Sequence, residues 1–196
     1  MRVSAEVVWL RVVLMAGAGL YCLARCRSAP QQSREEGLLD ASAALKGLSM
    51  AVMALPYGMG MAVPLFVWVA LLAPAGLWSL IAVTRPTVHR RHHLFHGVGH
   101  LAMVYMAVAM AAPMTGAAGM AGMPETGHAV GVPWLTGVLL VFFTGYALAA
   151  GSRVLGAPVV AGAADEPAAH PLWAPELAEG CHVLLGFGMV AMLVTM

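Results

Sequence analysis

Six stretches of this chain are long, apolar and almost free of charge. Each approaches the ~20 residues with which a helix crosses ~30 Å of hydrocarbon, the second and sixth being shorter. In hydrocarbon every backbone N–H and C=O needs an internal partner, which leaves helices or a closed barrel. No alternation of period two is present, so helices are expected. Composition agrees: 61% of residues are hydrophobic, 10% are charged, and the mean hydropathy is +0.83. A soluble domain carries nearer ~25% charged residues. With so few, the chain lacks the polar cover for an aqueous surface. The expected fold class is all-α: one polytopic transmembrane bundle of about six helices, embedded in lipid and spanning residues 1–196.

The spans are read at 5–23, 41–56, 64–84, 94–112, 133–150 and 181–196, with Pro56 and Pro113 as stops. The N-terminal stretch superficially resembles a signal peptide. Arg11 interrupts it, however, and it ends in Cys22-Leu-Ala-Arg-Cys26-Arg without a small-residue cleavage site, so a retained first helix is expected. Arg25, Arg27 and Arg34 fall between spans one and two, and Arg85, Arg90 and Arg91 between spans three and four. The segments after spans two and four hold no Lys or Arg. By the positive-inside rule 25–40, 85–93 and 151–179 are cytoplasmic loops, 57–63 and 113–132 are exterior, and both termini lie outside. Arg2 and Arg11 oppose this, and the last cytoplasmic loop offers Arg153 against four acids. Arginine dominates over the single Lys46, and Ala, Gly and Val abound, as in a GC-rich genome. A bacterial plasma membrane is the expected location.

A net charge of +1 and the absence of an arginine-rich run argue against a nucleic-acid partner. Three cysteines (Cys22, Cys26 and Cys181) do not make a disulfide framework. No phosphate-binding loop, HExxH or nucleophile elbow is present, so no soluble-type catalytic centre is expected.

Three segments share a pattern: Gly47-Leu-Ser-Met50-Ala-Val-Met53, His100-Leu-Ala-Met103-Val-Tyr-Met106 and Gly186-Phe-Gly-Met189-Val-Ala-Met192. A histidine stands seven residues before the first methionine in two of them, His96 and His182, and Ala43 takes that place in the other. Residues three, four and seven apart share a helical face, so His89, His93, His96, His100, Met103 and Met110 form a stripe, flanked by His92 and Met106. Imidazoles facing lipid lack partners, so the stripe should face inward. Packed together, the second, fourth and sixth spans would stack Met50, Met103 and Met189 in one layer and Met53, Met106 and Met192 in another about 4.5 Å away.

Thioethers are soft and uncharged and favour Cu(I), and imidazole suits copper, zinc or haem iron. The leading expectation is a Cu(I) binder or conduit. Met50, Met53, Met103, Met106, Met189 and Met192 are its thioether ligands, and His96, His100 and His182 its inner ligands. Exterior Met59, Met61, Met114, Met120, Met123 and His128 extend the path, and the cysteines lie where a copper donor or acceptor protein would dock. Two alternatives stand beside it. One is a b-type haem electron-transfer protein, with His182 and either His96 or His100 as axial ligands. The other is a non-catalytic scaffold or assembly subunit whose methionines only pack, since Met is a flexible apolar filler. His89, His92 and His93, beside Arg90 and Arg91, read as a headgroup-facing basic patch, and Lys46 and Arg11 as side chains reaching for the nearest interface. Small residues spaced by four, such as Gly47 and Ala51, predict close helix contacts, within the chain or in a homo- or hetero-oligomer.

The Met-rich repeats, the His cluster opening the fourth span and the Gly19-Leu-Tyr-Cys-Leu-Ala-Arg25 exit of the first resemble a family of small actinobacterial membrane proteins, domain of unknown function 5134. The resemblance covers Ala5 to Met196. It implies several hydrophobic spans in a membrane and no particular activity, and so adds nothing to the metal argument. Ala43 breaks a strict three-fold site.

Overall fold

The computed structural model describes residues 5–28, 33–56, 62–85, 90–111, 131–156 and 175–195. Its elements are α1 (Ala5–Ser28), α2 (Arg34–Met53), α3 (Leu65–Val83), α4 (Arg90–Ala111), α5 (Pro133–Gly156) and α6 (Pro175–Val194). No strand occurs among the described residues. Five helices are long and apolar enough to cross a membrane; α2 is the exception.

Three helices begin earlier than the hydropathy suggests, for identifiable reasons. Helix α2 starts at Arg34, not near residue 41, because Ser33 and Glu36 form a capping box: the Glu36 N–H donates to Ser33 Oγ (3.2 Å) and the Ser33 N–H to the Glu36 carboxylate (3.0 Å). Helix α4 takes in Arg90–His93, read above as loop. Helix α6 opens on Pro175, a residue suited to the first helical turn, where its missing N–H costs nothing. Helices α1 and α5 run on past the expected ends, to Ser28 and Gly156. Hydropathy marks where lipid begins, whereas helices continue into the interface wherever caps and ion pairs satisfy them.

The chain folds as three consecutive hairpins, α1/α2, α3/α4 and α5/α6. Each closes over small residues. A Cβ on Gly47 would lie 2.9 Å from the Gly19 backbone, so α1 and α2 touch main chain to main chain there. In α3/α4, a Cβ on Gly97 would meet Leu80 at 2.7 Å and the Gly76 carbonyl at 3.3 Å. Gly186 faces Ala147 in α5/α6. Without a hydrophobic drive between helices in lipid, such backbone approach supplies the packing.

Helix α2 packs against α1, α4 and α6 and forms the hub. Helices α3 and α5 lie outside and expose Phe66, Trp78, Trp134, Val141 and Leu148, an apolar skin that water does not tolerate and lipid does. The polarity of α2 follows from its place, because its neighbours and not lipid cover it.

Candidate functional site

The inner faces of α2, α4 and α6 carry two adjoining zones. Towards the end bearing Arg25, Glu36, Asp40 and Glu179 lies a polar one. Lys46, His96 and His100 are completely buried there and His182 nearly so. The Lys46 ammonium donates to the Phe95 carbonyl (3.2 Å) and sits 3.8 Å above the Phe95 ring, which stacks on Tyr146. Gly99 makes room for it: a Cβ at that position would stand 2.5 Å from Nζ. Among the described residues no carboxylate pairs with Lys46. Lys46 therefore does not reach for the interface, as expected above, but turns into the core.

The histidines are fixed by the helices that bear them. A carbonyl only accepts, so His182 Nδ1–H donates to Ala178 O (2.8 Å) and His100 Nδ1–H to His96 O (2.7 Å). In the neutral rings this leaves Nε2 of both as a lone pair. His96 Nε2 stands 3.3 Å from His182 Nε2 and is the donor in that hydrogen bond, since His182 Nε2 holds only a lone pair. His96 Nδ1 and His100 Nε2 are then buried without a hydrogen-bond partner among the described residues. Buried polar nitrogens are rarely left so. His92, on the outer side, approaches the Tyr146 hydroxyl (3.4 Å) and lies 5.1 Å from the His182 ring.

Deeper lies a thioether zone. Met50, Met103, Met106 and Met189 are fully buried and Met192 nearly so, all in one core cluster. Their inward direction is as the helical stripe predicts. Met15 of α1 joins them: its sulfur and the Met50 methyl approach the position where Gly188 lacks a side chain. Met53 departs from the layer. It is half-buried and lines, with Met110 and Trp68, a cleft of about 130 Å³ between α2, α3 and α4.

His93 is a correction. Instead of facing headgroups it is buried, 3.1 Å from the Glu35 carboxylate. His89, His128, Met59, Met61, Met114, Met120 and Met123 lie outside the described residues. Sequence reasoning missed Lys46 and Met15. A lone lysine within an apolar run was itself a signal, since intramembrane cations default to function. Nothing in the sequence marks Met15 among the other methionines.

Among the described residues no group of three or more His, Cys, Asp or Glu converges as a metal cluster. The His96–His182 pair suits a single ion in span: two metal–nitrogen bonds of ~2.0 Å at a tetrahedral angle set the nitrogens about 3.3 Å apart.

A family model described as a domain of unknown function (DUF5134) matches residues 38–196, which takes in most of α2 and all of α3 to α6. No curated protein and no solved structure matches the chain.

Proposed function

We propose that this chain, which belongs to the DUF5134 family, binds Cu(I) within the membrane and serves as a conduit for it. The observation that carries the reading is the pair of opposed imidazole nitrogens, His96 Nε2 and His182 Nε2, 3.3 Å apart, on helices that bury Met103 and Met189 seven residues further on. His96 and His182 are the first two ligands, with His96 moving its proton to Nδ1 so that both Nε2 lone pairs face the ion. His100 Nε2 offers a third. Met50, Met103, Met106, Met189 and Met192 supply soft, neutral sulfur beyond, and Met53 stands at the far cleft. Such a set favours Cu(I) over hard divalent ions and brings no negative charge into hydrocarbon.

The haem alternative fits less well. Axial nitrogens on opposite sides of an iron stand about 4 Å apart across a flat slot, from two bonds of ~2 Å. Here the gap is 3.3 Å, and the Phe95 ring sits 5.4 Å from that of His96. The reading puts the protein in the bacterial plasma membrane, with a copper donor or acceptor as partner.

The test is an anaerobic titration of the purified protein with Cu(I) against a chromogenic chelator. The wild type should compete. Met103→Leu with Met189→Leu should weaken binding at least about tenfold, a loss of ~1.4 kcal/mol. X-ray absorption should show nitrogen and sulfur around the copper. A Soret band in the isolated protein supports haem instead. Failure to bind either leaves a scaffold whose methionines pack.

A further inference from the structure

Apart from the site just described, a cleft of about 240 Å³ opens between the first half of α2 and the second half of α3, with His93 of α4 in its wall. Helix α2 packs closely on α1, α4 and α6, and no comparable contact joins it to α3 among the described residues. The lining is mostly apolar, with Leu38 and Leu45 from α2 and Ala75 and Trp78 from α3. Leu38 and Trp78 are half exposed, so the cleft faces outward rather than into the core.

Two serines in it differ. Ser79 Oγ–H donates to the Ala75 carbonyl one turn back (2.9 Å), a common outlet for a hydroxyl inside a helix. Ser42 Oγ makes no such bond and is buried without a hydrogen-bond partner among the described residues. Above the Trp78 ring, 5.6 Å from its centroid, sits the guanidinium of Arg85. Arg90 and Arg91, exposed like Arg85, open α4 within a turn of His93. Of the acids on α2, Glu35 meets His93, Glu36 caps its own helix and Asp40 pairs with Arg25. No carboxylate pairs with Arg85, Arg90 or Arg91 among the described residues.

We propose that this cleft holds an acyl chain of an anionic phospholipid whose phosphodiester is met by Arg85. The chain lies against Leu38, Leu45, Ala75 and Trp78. An ester carbonyl only accepts, and Ser42 Oγ–H is the donor in want of an acceptor. The phosphodiester suits the forked donors of a guanidinium, and Arg90 and Arg91 add positive charge beside it. Trp78 stands where tryptophan gathers in bilayers, at the level between chains and headgroups. A hydrocarbon chain fits a slot of this size, whereas a helix of a second copy is about 10 Å across and brings no phosphate. The lipid then supplies the cover that α3 does not give α2, the helix too polar to cross a membrane by its own hydropathy.

The test is native mass spectrometry of the full chain, delipidated in detergent and mixed with dioleoyl phosphatidylglycerol or dioleoyl phosphatidylcholine. The wild type should keep one phosphatidylglycerol at least about fivefold better than phosphatidylcholine, since one arginine near a headgroup is worth ~1 kcal/mol. Arg85→Gln, at an exposed position, should lower phosphatidylglycerol retention about fivefold and leave phosphatidylcholine unchanged. Ala75→Leu, which fills the cleft, should lower both. A phosphatidylglycerol with a photoreactive acyl chain should label α2 and α3 around Ser42 and Trp78. Equal retention of the two lipids, an adduct undiminished in the variants, labelling confined to other helices, or a dimer in place of the adduct overturns the proposal. Should Ala75→Leu not fold, Arg85→Gln and the position of the label decide.

Discussion

The two halves of the inner core are built on opposite rules. In the polar half each side chain has an assigned partner. Lys46 takes the Phe95 carbonyl, His182 takes Ala178 and His96, and His100 takes the carbonyl one turn back. Geometry there is fixed by hydrogen bonds, and an unmatched nitrogen is costly because nothing around it is wet. The thioether half has no such bonds. Met15, Met50, Met103, Met106 and Met189 meet by shape alone, with flexible side chains that tolerate replacement. The polar half should therefore govern whether the bundle folds uniquely as well as hold the first ligands of the proposed site, whereas the methionine half should tune binding with little effect on folding.

Four substitutions probe that contrast, each read by thermal or denaturant unfolding in detergent. Gly99→Leu should do most damage, because it drives a side chain into the space of the Lys46 ammonium. A loss of about 3 kcal/mol or more is expected, or failure to accumulate in the membrane. A variant as stable as the wild type breaks the idea of a tightly specified polar half. His182→Phe comes next, at about 2 kcal/mol, since it strips His96 of its hydrogen-bond partner.

Lys46→Met should act in the opposite direction. A buried cation without a carboxylate partner is replaced by an apolar chain, and a gain of about 1 kcal/mol is expected. A large loss would show that the ammonium holds α2 to α4. Met189→Leu should cost least, under about 1 kcal/mol. It sharpens the comparison because the same change should lower Cu(I) affinity about tenfold, some 1.4 kcal/mol of binding, with the fold intact. Equal losses in both measurements would remove the distinction between a half that fixes the fold and a half that only tunes binding.

Much of this was legible in one dimension. The inward turn of His96, His100, Met103 and Met189 follows from spacing on a helix, and Gly47 announced a close crossing. The start of α2 was also readable, since Ser33 and Glu36 stand at capping-box spacing ahead of the apolar run. Hydropathy alone hid it, because Arg34, Glu35 and Asp40 look like a loop until Arg25 and His93 are brought opposite them. Met15 left no trace in the sequence, because its place against Gly188 depends on how α1 is rotated against α6.

By itself, then, the sequence settled that this chain is a helical bundle suited to a membrane and which faces turn inward. Hydropathy and helical period are local quantities, summed along a single segment. The tertiary structure decided which inward faces meet, at what depth, and that Lys46 enters the core beside three histidines. Those outcomes depend on how close glycines such as Gly19, Gly47 and Gly97 let neighbouring backbones come, and no single helix carries that information.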